Sequence, residues 1–293
     1  MVMGAGAIGS LIGGLMTNAG YNVALIGREW QVKKIRENGL HIYGLEDFCV
    51  YPEAYMEPIE ADLIFITVKS YDTEVAARVL RMKEKSVVLS LQNGIGNEEK
   101  IGRIVGIKHV LGGVTSQGAL LLGPGRVKHT GSGKTIIGEL DGKITEKTKE
   151  IKEILDRSKI ETKITTEIKR ELWNKLIINV GINAITAITG LENGYICKMK
   201  NLRELSRKCV REVLKVAEKA GIDTNVKEEG VLNVAKLTAK NRSSMLQDLD
   251  RGKKTEINEI NGVVVDLGER YGVKCEVNET LLRLVEAMEA AKK

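Results

Sequence analysis

The chain opens on Gly4-Ala5-Gly6-Ala7-Ile8-Gly9, a G-x-G-x-x-G spacing that few backbones accommodate. Each glycine answers a steric demand. Gly4 permits a tight turn out of a strand, Gly6 lets a pyrophosphate approach the backbone, and Gly9 lets helix and strand pack closely. The following LIGGLMTNAGYNVALIG supplies a helix and a second strand. That strand–turn–helix–strand setting separates a dinucleotide site from a chance glycine turn. The start of the helix then offers unpaired N–H groups and a positive dipole end to phosphates. Gly4, Ala5, Gly6, Ala7, Ile8 and Gly9 are therefore the candidate cofactor cradle. Only Met1, Val2 and Met3 precede the first glycine. The first strand is either very short or begins upstream of Met1.

The end of the second strand discriminates between dinucleotides. An acid there accepts from a ribose 2′-hydroxyl, whereas a guanidinium grips a 2′-phosphate. The sequence has Gly27-Arg28, followed by Glu29. Arg28 favours NADPH, with NADH as the alternative; the plainer reading is a solvent-facing arginine.

Apolar runs at Val23–Gly27, Leu63–Val68, Ser86–Leu91 and His109–Val114 alternate with amphipathic stretches. This pattern predicts parallel strands covered by helices on both faces. GRVKHTGSGKTIIGEL predicts a hairpin turning at Thr130 to Gly133. Gly131 to Thr135 lacks the spacer of a phosphate loop. From about Thr166 the period becomes helical. LRELSRKCVREVLKVAEKAG ends at Gly221, NEINGVVVDLGERYG ends at Gly272, and a last helix runs from Asn278, its expected cap. The expected architecture is an α/β Rossmann-type dinucleotide-binding domain over residues 1–165, followed by an all-α C-terminal domain over 166–293.

Composition narrows the function classes. The chain has 43% hydrophobic residues and a net charge of +6, yet Lys and Glu are interleaved, as in KITEKTKEIKEILDRSKIETK. That is a solvated mixed-charge surface, not the basic stripe of a nucleic-acid binder. No apolar run reaches the about 20 residues of a membrane span, and the start leaves no room for a signal peptide. A soluble cytoplasmic protein is expected. The four cysteines and three histidines are scattered, so neither metal nor disulfides are expected.

The segment ELWNKLIINVGINAITAIT carries a second constellation. Lys175, Asn179 and Asn183 follow at i, i+4 and i+8, on one face of a helix rich in isoleucine. Buried amides without partners cost free energy. The three residues either sit in solvent and cap nearby turns, or form the polar wall of a substrate pocket. Ser244, with Gln247 three residues on, has the spacing of a capping box.

Five motifs together give a resemblance. GAGAIG, LQNG at Leu91 to Gly94, ELWNKLIINVGINAITAI, SSMLQDL and KKTEIN occur in the order found in the ketopantoate reductase (2-dehydropantoate 2-reductase) family, and they span about residues 4 to 258. The resemblance implies NADPH-dependent reduction of a 2-keto acid to (R)-pantoate for pantothenate and coenzyme A synthesis. It implies an active site between a Rossmann domain and a helical domain. Lys175 resembles the general acid and Glu256 the active-site glutamate that steadies it. Asn93, Asn179, Asn183 and Ser244 resemble substrate contacts. Asn93 also resembles a cofactor contact, and Lys69 resembles a lysine that joins Arg28 near the adenosine phosphate. Asn258 departs from the family's frequent aspartate. The partners implied are a small keto acid and a second copy in a homodimer, with no nucleic acid or membrane. The competing functions are a related reductase or dehydrogenase of another branched 2-keto or 2-hydroxy acid, and a non-catalytic NADP(H)-binding sensor.

Overall fold

Two residues suffice for the central strand because it is paired on both sides. In the computed structural model, which describes residues 1–291, β1 (Val2–Met3) runs parallel to β2 (Ala24–Ile26) and β6 (Ala61–Ile66). The pairing continues past its ends. Phe65 N–H donates to Met1 O, Thr67 N–H to Met3 O, and the N–H groups of Gly4 and Ala5 to Ile26 O. β5 (Glu53–Tyr55) lies beside β2, while β7 (Met82–Ser90) and β8 (Val110–Thr115) extend beyond β6, all parallel. β11 (Thr135–Glu139) joins β8 antiparallel, and β12 (Thr162–Ile164) joins β11. The eight-stranded order is β12-β11-β8-β7-β6-β1-β2-β5.

A second sheet, unforeseen from the sequence, contains β3 (Leu40–Gly44), β4 (Phe48–Val50), β9 (Gly118–Gly123) and β10 (Arg126–Gly131) in the order β4-β3-β10-β9. Between the sheets runs α1 (Ala7–Asn18), buried through Leu11, Ile12 and Leu15. Its small residues permit this: a Cβ on Gly13 would meet Leu25 of β2, and one on Gly14 would meet Ile42 of β3. The remaining helices of this part are α2 (Glu29–Asn38), α3 (Thr73–Arg78), α4 (Asn97–Val105) and α5 (Glu146–Arg157).

The hairpin expected about Thr130–Gly133 does not form. β10 pairs with β9 and β3, and β11 pairs with β8 and β12, so the link crosses from one sheet to the other. Gly133 passes against the Ser116 backbone and its carbonyl accepts from Gln117 Nε2 at 2.7 Å. The hairpin that forms is β9–β10, turning at Pro124-Gly125, where Gly125 has φ +67°. A proline followed by a left-handed glycine suits such a turn.

The helical part comprises α6 (Ile168–Thr189), α7 (Tyr195–Lys198), α8 (Lys200–Lys219), α9 (Glu228–Leu237), α10 (Ser244–Asp250), α11 (Val263–Tyr271) and α12 (Glu276–Ala291). A π-helical turn, Asn258–Gly262, precedes α11. Its core packs Leu176, Ile177 and Val180 of α6 with Val210, Val213, Val231, Val264 and Leu281. Gly181 lets α6 come within reach of Val210 and Val231, and its carbonyl accepts from Ser206 Oγ at 2.7 Å. By its contacts the chain forms two units: residues 1–92 with 96–168, and residues 93–95 with 169 onward.

Two helix starts differ from the sequence reading. Ser243, not Ser244, caps α10, accepting from Leu246 N–H. α12 begins before Asn278, because Glu212 of α8 accepts from the Val277 and Asn278 N–H groups at 2.9 and 3.0 Å. A carboxylate from a neighbouring helix thus does the capping. Asn278 is instead buried, donating to Cys209 O and Glu212 and accepting from Asn261. The expected last helix extends to residues 292 and 293, which lie outside the described residues.

Burial, with Glu212 second, pushes the Cys209 thiol up to about 12, while Cys49 is exposed. Thiolate is the reactive form. At pH 8, iodoacetamide should label Cys49 in the folded protein and Cys209 only after unfolding, as read by peptide mass spectrometry. Labelling of Cys209 in the native state would contradict this packing.

Candidate functional site

In the first unit the glycine motif has the backbone its spacing demands. Gly4 adopts φ +116°, and a Cβ there would lie 2.7 Å from Val68 N. A Cβ on Gly9 would fall on Gly4 O and the Thr67 hydroxyl. Gly6 differs: it is exposed, and a Cβ there would meet no protein atom within 4 Å. The chain's own packing does not require that glycine, whereas a ligand pressed against the backbone does. Gly6 is also the N-cap of α1, with no side-chain cap and no acid in the first turn. The positive helix end is left for an anion.

Two residues that the sequence reading missed hold this loop. Thr67 Oγ1 donates to Gly4 O at 2.9 Å and to Met3 O at 3.2 Å. Gln31 is 1% exposed; its Nε2 donates to Ala5 O at 3.1 Å, and its Oε1 accepts from Gly125 N–H at 2.9 Å. The carbonyls of the loop are thereby turned inward. An uncharged glutamine on the buried side of charge-rich α2 was the available signal.

Arg28 is exposed and forms the N-cap position of α2, just past β2. Lys69 is half-buried, three residues past β6. Since β2 and β6 flank β1 in parallel, both cations lie at the carboxyl edge of the sheet, where open α/β sheets bind ligands. The exposed Gly6 and the uncapped helix end fit the phosphates of a dinucleotide.

In the second unit Lys175, Asn179 and Asn183 do share one face of α6. Lys175 and Asn179 are half-buried and Asn183 is buried. The Nδ2 atoms of Asn179 and Asn183 are buried without a hydrogen-bond partner. Each such donor costs about 1–3 kcal/mol. Asn193, not singled out from the sequence, likewise leaves Oδ1 without a partner while its Nδ2 donates to Thr238 Oγ1 at 3.0 Å. Nothing in its loop sequence marked it. A group of unmet amides is what a polar ligand would satisfy.

Asn93 and Glu256 are brought into direct contact. Asn93 Nδ2 donates to Glu256 Oε2 at 3.0 Å, and Glu256 is 4% exposed. The Asn93 loop fits because its next residue has no side chain: a Cβ on Gly94 would lie 2.5 Å from the Glu259 carbonyl of the π turn. Ser244 is exposed at the start of α10, whose cap Ser243 accepts from Thr186 Oγ1 of α6 at 2.8 Å. That bond fastens α10 one turn from Asn183. Among the described residues no group of three or more His, Cys, Asp or Glu is placed to hold a metal ion, and no helix is long and apolar enough to cross a membrane.

Comparison with known proteins adds independent findings. The family model described as ketopantoate reductase PanE/ApbA matches residues 1–142, and that of its C-terminal domain matches residues 167–289. The 2-dehydropantoate 2-reductase of Archaeoglobus fulgidus is 41% identical over 289 residues, covering 99% of this chain and 97% of that protein. The crystal structure of a PanE/ApbA family ketopantoate reductase from Ralstonia eutropha superposes with a TM-score of 0.92 at 30% identity, covering 100% of this chain and 99% of that one. A ternary structure of D-mandelate dehydrogenase with NADH and anilino(oxo)acetate also reaches 0.92, at 26% identity and with the same coverage.

The unmet amides predict an unusual stability result. Asn183→Leu should unfold at no lower urea concentration than the parent, since it removes an unsatisfied donor. Asn278→Leu breaks three side-chain hydrogen bonds and strands Asn261, and should lose about 3 kcal/mol. Comparable losses in both variants would mean that Asn183 is satisfied in the folded protein.

Proposed function

The chain belongs to the ketopantoate reductase family, and from that premise we propose that it reduces 2-dehydropantoate to (R)-pantoate with NADPH as hydride donor. The observation that carries this reading is the row of Lys175 with the unmet amide donors of Asn179 and Asn183. Two N–H donors and an ammonium suit a carboxylate and a keto oxygen.

Gly4 to Gly9 would hold the cofactor, with Arg28 and Lys69 at its 2′-phosphate, and NADPH bound there would supply a hydride for C2 of the substrate. Lys175 does the acid chemistry. Its ammonium polarises the keto oxygen, stabilises the negative charge that grows there, and gives that oxygen its proton from Nζ. Asn179 and Asn183 hold the substrate by their Nδ2 groups, and Ser244 offers a hydroxyl from the start of α10. The Glu256 carboxylate, oriented by Asn93, contacts substrate and balances the lysine's charge. In this reading Asn93 also touches the cofactor, and pantoate continues to pantothenate and coenzyme A. The resemblance extends to a cytoplasmic homodimer, which analytical ultracentrifugation tests for its stoichiometry.

A second reading has a specific support. D-mandelate dehydrogenase with NADH shares the fold at 26% identity, so the same polar groups on a differently shaped apolar pocket would serve another 2-keto or 2-hydroxy acid. Turnover across a panel of keto acids separates the two.

The test is oxidation of reduced nicotinamide followed by absorbance. Rapid turnover of NADPH with 2-dehydropantoate, slow with other keto acids, is expected. Arg28→Ala should raise the KM for NADPH about tenfold, the loss of one charged phosphate contact, and leave that for NADH unchanged. Lys175→Ala should lower kcat by about 10² to 10⁴ while NADPH still binds. Full activity in Lys175→Ala would overturn the assigned chemistry, and equal use of NADH would remove Arg28 and Lys69 as phosphate contacts.

A further inference from the structure

The backbone that carries Glu256 is held by side chains on both sides. Thr255 is fully buried, and its N–H donates to Glu289 Oε1 of α12 at 2.7 Å. Two residues on, Ile257 N–H donates to Thr255 Oγ1 at 3.2 Å. The N–H groups at a helix start have no acceptor within the helix. Here a hydroxyl and a carboxylate provide acceptors on either side of Glu256. A bond to an ionised acceptor is the stronger kind, and this one ties residues 34 positions apart.

Glu289 also stands where an apolar residue is expected. α12 buries Asn278, Leu281, Leu282 and Val285 along one face, and position 289 continues that face at i+4 from Val285. Glu289 is half-buried at the end of that stripe, and its carboxylate accepts from Thr255 N–H. We propose that Glu289 is a positioning residue for Glu256. It fixes the Thr255 backbone so that the next side chain reaches Asn93 at 3.0 Å. The inference rests on the reading of Glu256 as the active-site carboxylate. Without Glu289 the Thr255 N–H loses its acceptor and the peptide before Glu256 loses one of its two restraints, and a carboxylate displaced by about 1 Å loses its catalytic geometry.

Glu289→Ala and Glu289→Gln test this together. The glutamine keeps an oxygen that accepts from Thr255; the alanine does not. In Glu289→Ala, kcat with NADPH and 2-dehydropantoate should fall roughly tenfold, with the KM for NADPH unchanged and the circular dichroism of the folded protein retained. Glu289→Gln should restore most of the rate. The Asn93 side-chain amide, read by nitrogen-15 NMR, should shift in the alanine variant and return in the glutamine variant. That resonance reports the geometry without turnover, so an inactive parent protein with a shifted resonance sinks the proposed substrate and keeps the positioning. An unmoved resonance, a glutamine variant as impaired as the alanine one, or a rate that falls only with the folded fraction would overturn the role of Glu289.

Discussion

The first turn of α1 presses so closely on the end of β1 that no side chain fits at position 9. The Gly4 carbonyl and the Thr67 hydroxyl occupy the place a Cβ would take. From that contact follows the direction of α1 between the two sheets, since Gly13 and Gly14 then face Leu25 and Ile42. The same contact fixes the helix start beside the ends of β2 and β6, where Arg28 and Lys69 stand. A helix end with no side-chain cap and no acid in its first turn holds a fixed positive potential without any titrating group. Gln31 and Thr67 complete the arrangement by engaging the loop's carbonyls, which leaves the first-turn N–H groups of α1 as the polar lining.

The second unit follows the opposite logic. There the apolar helix faces are buried against one another, and the departures are polar: unmet amide atoms on Asn179, Asn183, Asn193 and Asn261. Native proteins keep few such groups. Retaining such groups lowers stability unless a ligand meets them, and binding then recovers what folding left unmet. Around them the supports are stiff. Ser243 ties α10 to α6 through Thr186, Gly94 seats the Asn93 loop on the π turn, and Glu289 ties α12 to Thr255. π turns recur at functional sites, and this one begins two residues after Glu256.

The sequence carried the fold class because two periods are written into it: short apolar runs in the first part, and amphipathic helical stretches after residue 165. β2, β6, β7 and β8 fall where the apolar runs lie, and α6 places Lys175, Asn179 and Asn183 on one face as their spacing requires. The second sheet was not legible, because β3 pairs with β10 across more than eighty residues and neither strand carries a strong local signature. Two glycine clusters competed for one hairpin; Pro124-Gly125 turns, while Gly131-Ser132-Gly133 crosses between sheets, a choice made by tertiary pairing. Ser243 and Ser244 are adjacent hydroxyls, and only the packing of Thr186 decides which one caps. Glu212 usurps the capping that Asn278 promised, and Gln31, Thr67, Asn193 and Glu289 act through partners far away in the chain.

Hydride transfer from NADPH to 2-dehydropantoate is the central proposal. NADPH carrying deuterium at the transferred position of nicotinamide C4 tests it most directly. With 2-dehydropantoate and the folded protein, mass spectrometry of the product should show one deuterium at C2 of pantoate, none from the solvent. Unlabelled pantoate, or no pantoate from folded protein, would contradict it.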